Sequence, residues 1–121
     1  MTDAAHIADR YIAVWNETDP ARRDALLTEN WNADATYVDP LMSGEGRQEI
    51  GALIGAVHAR FPGFRFTLAG AADGYGDKVR FSWALGPDAE PDMIRGTDFA
   101  VIDNGRLRSV TGFIDKAPAS A

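Results

Sequence analysis

The hydrophobic pattern of this chain changes its period at Pro62-Gly63. Before that point apolar residues recur every three to four positions, as on one face of a helix, and the longest example is RQEIGALIGAVHARF. After that point apolar residues alternate with polar or small ones, as in strands, in FRFTLAGA, KVRFSWALG, DMIRGTDFAVID and RLRSVTGFID. Helices and strands that are segregated along the chain predict an α+β fold.

Three helices and one short strand are predicted before the change of period. The first covers residues 3–16, and the second begins at Asp19-Pro20, an N-cap followed by proline, and ends near Asn30. ATYVD follows as the short strand. The third helix is the apolar stripe of RQEIGALIGAVHARF, and it ends before Pro62.

The turns between the later strands predict an antiparallel sheet. DGYGD and DNGR separate paired runs, and Asn104-Gly105 is the dipeptide that two-residue hairpins prefer. A strongly curved sheet wrapped by helices would leave a conical cavity lined by its inner face. We therefore expect any small-molecule site to lie in that cavity.

Length and charge limit the kind of protein this chain can be. Its 121 residues fit one domain, predicted over residues 1–116 and followed by a flexible tail over residues 117–121. A net charge of -6 with scattered basic residues gives no surface for nucleic acid or an anionic membrane. The chain has no cysteine, no secretory signal and no apolar run that could span a bilayer, so we expect a cytoplasmic protein.

Among the acidic residues, Asp98 has the most unusual position. It lies in the middle of a predicted strand, on the face that carries Ile94, Gly96, Ala100 and Ile102. No Lys or Arg shares that face, so burial would raise the pKa of Asp98 and favour its neutral form, which can donate a hydrogen bond. Alternatively, this face is the solvent side of the sheet.

Two other residues have both a structural and a chemical interpretation. Asp39, at the end of the short strand, is either an Asx-turn residue before Pro40 or an acid facing the cavity. Tyr11, on the first helix, is either a core tyrosine or a hydrogen-bond donor to a ligand. No metal motif or nucleophile motif is present, because His6 and His58 stand alone and the Gly-x-Gly pieces lack the spacing of a phosphate loop.

These three residues recur together in a pattern that is known from one superfamily. RYIAVWNETD, ATYVDP, GRQEI and TDFAVIDNGRL resemble segments of the nuclear transport factor 2-like superfamily, in particular its ketosteroid isomerase and SnoaL-like branch. The resemblance covers nearly the whole chain. It implies a cystatin-like α+β roll, with three helices packed on a curved, mainly antiparallel sheet around the conical cavity.

The resemblance also implies a site. Asp39 matches the general base of the isomerases, Tyr11 their tyrosine oxyanion donor and Asp98 their protonated aspartate donor. Such a site removes a proton next to a ketone without a cofactor, and the SnoaL-like cyclases use an aspartate base for an aldol closure. Ile54 stands where the isomerases have a supporting tyrosine, which leaves His58 as the nearest polar side chain. The residues predicted to line the pocket are Trp15, Ile54, His58, Phe81, Trp83 and Phe113.

The resemblance leaves more than one function open. An isomerase or cyclase would need Asp39 charged and Asp98 neutral, whereas a binding protein for a small hydrophobic molecule has no such requirement. Chemistry like that of limonene epoxide hydrolase fits poorly, because Arg95 points to the opposite strand face from Asp98 and Gly112 stands where a second acid would align. A protein-interaction subunit is a further alternative. By resemblance alone we also expect a homodimer.

Overall fold

The computed structural model describes residues 3–118 of the chain, so residues 119–121 of the predicted tail lie outside the described part. Within that part the chain forms three helices and seven strands. In chain order they are α1 (Ala4–Asn16), α2 (Pro20–Asn30), β1 (Trp31–Val38), β2 (Ser43–Glu45), α3 (Gly46–Arg60), β3 (Arg65–Leu68), β4 (Asp73–Tyr75), β5 (Lys78–Gly86), β6 (Ile94–Asp103) and β7 (Arg106–Lys116). The predicted α+β class and the three N-terminal helices are confirmed.

Local sequence signals set most of the helix ends. The Asp3 side chain caps α1 by accepting a hydrogen bond from the His6 backbone N–H at 3.1 Å. Pro20 occupies the start of α2 as predicted, although the Asp19 side chain makes no capping hydrogen bond. α3 ends at Arg60, two residues before Pro62.

One curved sheet carries the three helices. Its order is β2-β1-β7-β6-β5-β3, with β4 paired to β5, and every pair is antiparallel except β1 with β7, which is parallel. The hairpin between β6 and β7 turns at Asn104-Gly105, where both residues have positive φ, as the sequence predicts for a two-residue turn. The C-terminal strand β7 therefore lies between β1 and β6 and brings the end of β1 close to the middle of β6.

Aromatic rings fill much of the space between the helices and the inner face of the sheet. Tyr11 lies within 4.7 Å of Phe81, 5.8 Å of Trp31 and 6.0 Å of Trp15, measured between ring centroids. Phe81 and Trp83 both belong to this core, which agrees with their shared strand face. Trp31, the first residue of β1, is fully buried in the same core.

The predicted conical cavity stays a prediction. Two surface pockets lie elsewhere, one between the start of α1 and the β6–β7 turn, the other between α2 and α3. Neither pocket is lined by Asp39 or Asp98. None of the helices in residues 3–118 is long and apolar enough to span a membrane.

Candidate active site

Asp98 is a buried carboxyl group in the middle of the sheet. It lies on the inner face of β6 and is only 1% exposed, so the alternative that this face is the solvent side is wrong. Its Oδ2 accepts a hydrogen bond from the Tyr11 hydroxyl at 2.5 Å, and its Oδ1 accepts one from Trp83 Nε1 at 3.1 Å. The two donors reach it from α1 and from the neighbouring strand β5.

The pKa of Asp98 is raised to about 6, mainly because burial penalises the charged form. The hydrogen bonds from Tyr11 and Trp83 lower this pKa, while the nearby charges of Asp39 and Asp115 raise it further. The direction is the one expected from the sequence. Neutral Asp98 therefore persists to a higher pH than an exposed aspartic acid does.

Asp39 has the Asx-turn role that was one of its two interpretations, and its position facing a cavity stays a prediction. Its Oδ1 accepts hydrogen bonds from the backbone N–H groups of Leu41 at 2.8 Å and Met42 at 2.9 Å, which is the Asx-turn geometry. Its Oδ2 accepts one from the Tyr37 hydroxyl at 2.7 Å. Because each carboxylate oxygen has two lone pairs, Oδ2 keeps one free site with which it could accept a proton.

Gly112 makes room for both acids. An ideal Cβ at this position of β7 would lie 2.8 Å from Asp98 Oδ1 and 3.2 Å from Asp39 Cβ. The two acids therefore flank the same glycine, although Asp39 follows the end of β1 and Asp98 is on β6, and these two strands do not pair with each other. In the sequence, Gly112 was noted only because it stands where chemistry like that of limonene epoxide hydrolase would need a second acid. In the structure, Gly112 matters because it leaves space for the side chains of Asp39 and Asp98.

Tyr37 is a polar member of the site that the sequence analysis did not identify. Besides donating to Asp39, Tyr37 is buried, and burial together with the charges of Asp98 and Asp39 raises the pKa of its phenol well above the ordinary value. Burial and the charge of Asp98 raise the pKa of Tyr11 well above its ordinary value, so both phenols are neutral donors. The signal was available, since Tyr37 lies two residues before Asp39 at the end of β1, and alternate residues of extended chain point the same way.

His58 does not take the supporting role that the sequence offered it. Its Nε2 lies 2.6 Å from the Trp15 carbonyl oxygen, and its Nδ1 lies 3.3 Å from Arg23 Nη1. The carbonyl can only accept, so Nε2 carries the hydrogen and Nδ1 is free to accept from Arg23. His58 thus ties α3 to the end of α1.

The other predicted pocket residues fall into two groups. Trp15, Ile54, Phe81 and Trp83 are buried in the core on the side of the sheet where Asp98 lies. Phe113 is 52% exposed and packs on Phe99 on the outer face, because it is adjacent to Gly112 in β7 and successive side chains alternate in direction. The prediction that Phe113 lines the pocket is therefore wrong. Arg95 is exposed, as expected.

Chemically, the site offers two carboxyl groups in different environments and two neutral phenols between them. Asp39 is half-buried and has a free acceptor position, whereas Asp98 is buried with a raised pKa. Such a pair can take a proton at one group and donate one at the other. Residues 3–118 contain no cluster of three or more His, Asp or Glu side chains that could hold a metal ion.

Solved structures with the same fold include proteins from several bacteria. A candidate isomerase of the SnoaL-like family from Agrobacterium tumefaciens is 46% identical, with a TM-score of 0.90 over 95% of this chain and 99% of that one. A candidate ketosteroid isomerase from Kribbella flavida is 19% identical, with a TM-score of 0.70 over 95% of this chain and 79% of that one. A candidate polyketide cyclase from Sinorhizobium meliloti is 16% identical, with a TM-score of 0.71 over 88% of this chain and 93% of that one.

The two more distant likenesses show the fold alone. No curated protein matches this sequence. The sequence profile of the SnoaL-like domain matches residues 8–110, a range that includes Tyr11, Asp39 and Asp98. The chain therefore belongs to the SnoaL-like domain family, within the nuclear transport factor 2-like fold.

Proposed function

We propose that this protein is an isomerase or cyclase that removes a proton from carbon next to a carbonyl group, without a cofactor. Asp39 is the general base, and Tyr11 with Asp98 forms the acid side of the site. The substrate is a small hydrophobic molecule that carries an enolisable ketone.

The pairing of two unlike carboxyl groups around Gly112 carries this proposal. A base must be charged and a donor must hold a hydrogen, and the two environments favour this division. Burial raises the pKa of Asp98 to about 6, whereas Asp39 is half-buried and hydrogen-bonded at the end of its strand. A substrate that excludes water from the site would favour neutral Asp98 further, since desolvation is already the main cause of its raised pKa.

In the first step, Asp39 Oδ2 accepts the proton and the carbon–hydrogen electron pair moves to form an enolate. The carbonyl oxygen gains negative charge and receives a hydrogen bond from the acid side of the site. An isomerase then returns the proton to another carbon of the same conjugated system. A cyclase instead uses the enolate carbon to attack a second carbonyl of the same molecule.

A panel of β,γ-unsaturated ketones, from small to steroidal, tests the isomerase form of this proposal. Conversion to the conjugated ketone is followed by ultraviolet absorbance, and a poly-ketone substrate analogue tests the cyclase form through product mass and chromatography. Asp39→Asn is the informative variant, because its amide oxygen can still accept from Leu41 and Met42 while the base is lost.

Asp34→Asn is the matched control, since Asp34 is an exposed acid on β1, the strand that ends just before Asp39. We expect Asp39→Asn to lose at least about a hundredfold in rate, as for removal of a general base, and Asp34→Asn to behave like the wild type. Equal activity of Asp39→Asn and wild type on any converted ketone would overturn the assignment of the base.

A second candidate function is the binding of a small hydrophobic molecule without catalysis. It is favoured by one observation, namely that both oxygens of Asp98 and both oxygens of Asp39 already accept hydrogen bonds within the protein. Acids satisfied in this way can be structural. Under this reading the ketones bind, as detected by protein fluorescence from the nearby tryptophans, but none is converted.

We also propose that two copies of the chain pair through the outer face of the sheet. Phe99 and Phe113 are in edge-to-face contact there, with ring centroids 5.7 Å apart, and both remain about half exposed in one chain. Exposed neighbouring aromatic rings are typical of protein interfaces. The homodimer expected by resemblance would form through this surface of β6 and β7.

A further inference from the structure

Trp83 holds one of the two oxygens of the Asp98 carboxyl group. Its Nε1–H donates to Asp98 Oδ1 at 3.1 Å, while the Tyr11 hydroxyl lies 2.5 Å from the other oxygen, Oδ2. Trp83, Asp98 and Tyr11 are all buried, so water has little access to either hydrogen bond. The two oxygens of Asp98 therefore have different neighbours, an indole at one and a phenol at the other.

Gly96 allows the indole ring to reach Asp98. Trp83 and Gly96 are directly paired between β5 and β6, and Asp98 lies two residues after Gly96 on the same face of β6. An ideal Cβ at Gly96 would lie 2.2 Å from Trp83 Cζ2 and 2.6 Å from Cε2, so the ring occupies the space that a side chain would take. Phe66 packs edge-to-face on this ring, with ring centroids 5.4 Å apart. The indole is thus held across β6 with its N–H at the carboxyl group.

The other two indoles of the chain are not used in this way. Trp15 Nε1 and Trp31 Nε1 are buried, and neither has a hydrogen-bond partner within residues 3–118. Burial alone therefore does not supply an indole of this protein with an acceptor. The hydrogen bond between Trp83 and Asp98 depends on the placement of the ring over Gly96.

This hydrogen bond restricts where a neutral Asp98 holds its hydrogen. An indole N–H can only donate, so Oδ1 must accept. In a carboxylic acid the carbonyl oxygen is the better acceptor, and the hydrogen is on the other oxygen. Oδ1 is then the carbonyl oxygen and Oδ2 carries the hydrogen, next to the Tyr11 hydroxyl. The contact between Oδ2 and Tyr11 has two hydrogens in this state and needs only one.

We propose that Trp83 is the positioning residue of Asp98, and that it places the hydrogen of the neutral acid on Oδ2, next to Tyr11. The catalytic consequence rests on the function proposed above. Because one hydrogen is enough for the contact between Asp98 and Tyr11, the second is available to the carbonyl oxygen of the substrate. Without the indole, the hydrogen could be on Oδ1, the oxygen that Tyr11 does not contact.

The titratable groups that act on Asp98 are all acids. They are Tyr11 of α1, Tyr37 of β1, Asp39 after the end of β1 and Asp115 of β7. The residues paired with Asp98 on the neighbouring strands, Phe81 and Gly112, do not titrate. Trp83 does not titrate either, so its replacement by phenylalanine removes a hydrogen bond and changes no charge.

Carbon NMR of the Asp98 carboxyl group, assigned with Asp98→Asn, tests the hydrogen bond without any substrate. Trp83→Phe keeps an aromatic ring and removes the N–H. A donor stabilises the charged carboxylate more than the neutral acid, so the titration midpoint of Asp98 should rise by about half a pH unit or more. Trp31→Phe is the matched control, because it makes the same change at a buried indole that has no partner within residues 3–118. It should leave the midpoint unchanged.

Infrared spectroscopy tests the position of the hydrogen. At a pH below the Asp98 midpoint and above the pKa of ordinary aspartic acids, the carbonyl band of neutral Asp98 is the one that is lost in Asp98→Asn. In Trp83→Phe we expect this band at higher frequency, because the carbonyl oxygen has lost its donor. An unshifted band would overturn the proposal, and so would a midpoint that Trp83→Phe leaves unchanged or lowers.

If Trp83→Phe does not fold, the three indole N–H signals of the wild type decide. One of them should move in proton–nitrogen NMR at the midpoint of the Asp98 carboxyl group, and in Asp98→Asn this movement should be absent. Three indole signals that do not follow Asp98 would overturn the proposal. Because no turnover is measured, failure here is distinct from failure of the proposed enzyme activity.

Discussion

Gly112 pairs directly with Asp98 across the ladder between β7 and β6, and the space where its Cβ would stand is bordered by the Asp98 carboxyl group. The backbone of Gly112 does not need positive φ, so this glycine is required for the space it leaves and not for its conformation. The site thus depends on a residue that contributes no functional group.

Gly112→Ala should test this requirement. A Cβ at 2.8 Å from Asp98 Oδ1 forces the carboxyl group or the strand to move, so we expect a loss of about 1–3 kcal/mol in the free energy of unfolding. Urea unfolding followed by tryptophan fluorescence measures it. Thr111→Ala, on the exposed face of the same strand, is the control and should change stability by less than about 0.5 kcal/mol. Equal stability of Gly112→Ala and wild type would contradict the packing argument.

Asp98 should make the protein less stable as the pH rises from about 4 to above 6. The folded state holds this proton more tightly than the unfolded chain does, because the pKa rises from 3.8 to about 6 on folding. Its contribution is therefore fully present below pH 4 and lost above pH 6. Asp98→Asn remains neutral, so between pH 4 and pH 8 it should gain roughly 1–3 kcal/mol relative to wild type.

Unfolding by urea at several pH values gives this difference curve. Asp34→Asn, at an exposed position of β1, provides the control and should run parallel to the wild type. If Asp98→Asn and wild type also run parallel between pH 4 and pH 8, then the pKa of Asp98 is not raised by folding.

His58 should contribute to stability through α1. His58→Ala leaves the Trp15 carbonyl without its donor and Arg23 Nη1 without its contact to the ring, so we expect a loss of about 1–3 kcal/mol. His6→Ala removes the other histidine of the chain, which is exposed, and should stay within about 0.5 kcal/mol of wild type. Similar unfolding midpoints for the two variants would show that the His58 contacts have no net effect.

Phe113→Lys should disrupt the proposed homodimer. The introduced lysine would face the same lysine of the second copy, so the two positive charges repel each other, and both must lose water when the copies associate. We therefore expect the dimer to be at least about tenfold weaker. Sedimentation equilibrium measures the change. Tyr75→Lys places the same charge on an exposed ring outside the patch and should leave association unaffected. If the wild-type protein sediments as a monomer at tens of micromolar, the proposed homodimer is wrong.

The parts of the fold that the sequence predicts well are those with local causes. The long apolar stripe of α3 and the Asn104-Gly105 turn each depend on a few neighbouring residues, and both are found where they were expected. β2 and β4 have three residues each, too few to show an alternating pattern, and neither was predicted. The parallel pairing of β1 with β7 has no local signal, because its partners are far apart in the sequence.

For the candidate site, too, the sequence predicts well what has a local cause and poorly what depends on contacts between distant segments. Strand alternation groups Asp98 with Ala100 and Ile94, but it does not say which face of the sheet is buried until the helices are placed. Phe113 illustrates the risk, since a shift of one residue along β7 moves a side chain from the inner to the outer face. Tyr37 was overlooked although it lies only two residues before Asp39, because an aromatic residue in a short strand is typical of the core and the sequence does not show that its hydroxyl reaches the Asp39 carboxyl group.

The position of β7 has a consequence for how the protein is made. β1 and β6 do not pair with each other, and the last strand of the sheet in chain order fills the place between them. A growing chain that has emerged as far as β6 holds both Asp39 and Asp98 but lacks the strand that sets their separation. The two acids can reach their observed separation only after β7 has paired with both β1 and β6, so the site forms late in folding, through contacts between segments that are far apart in the sequence.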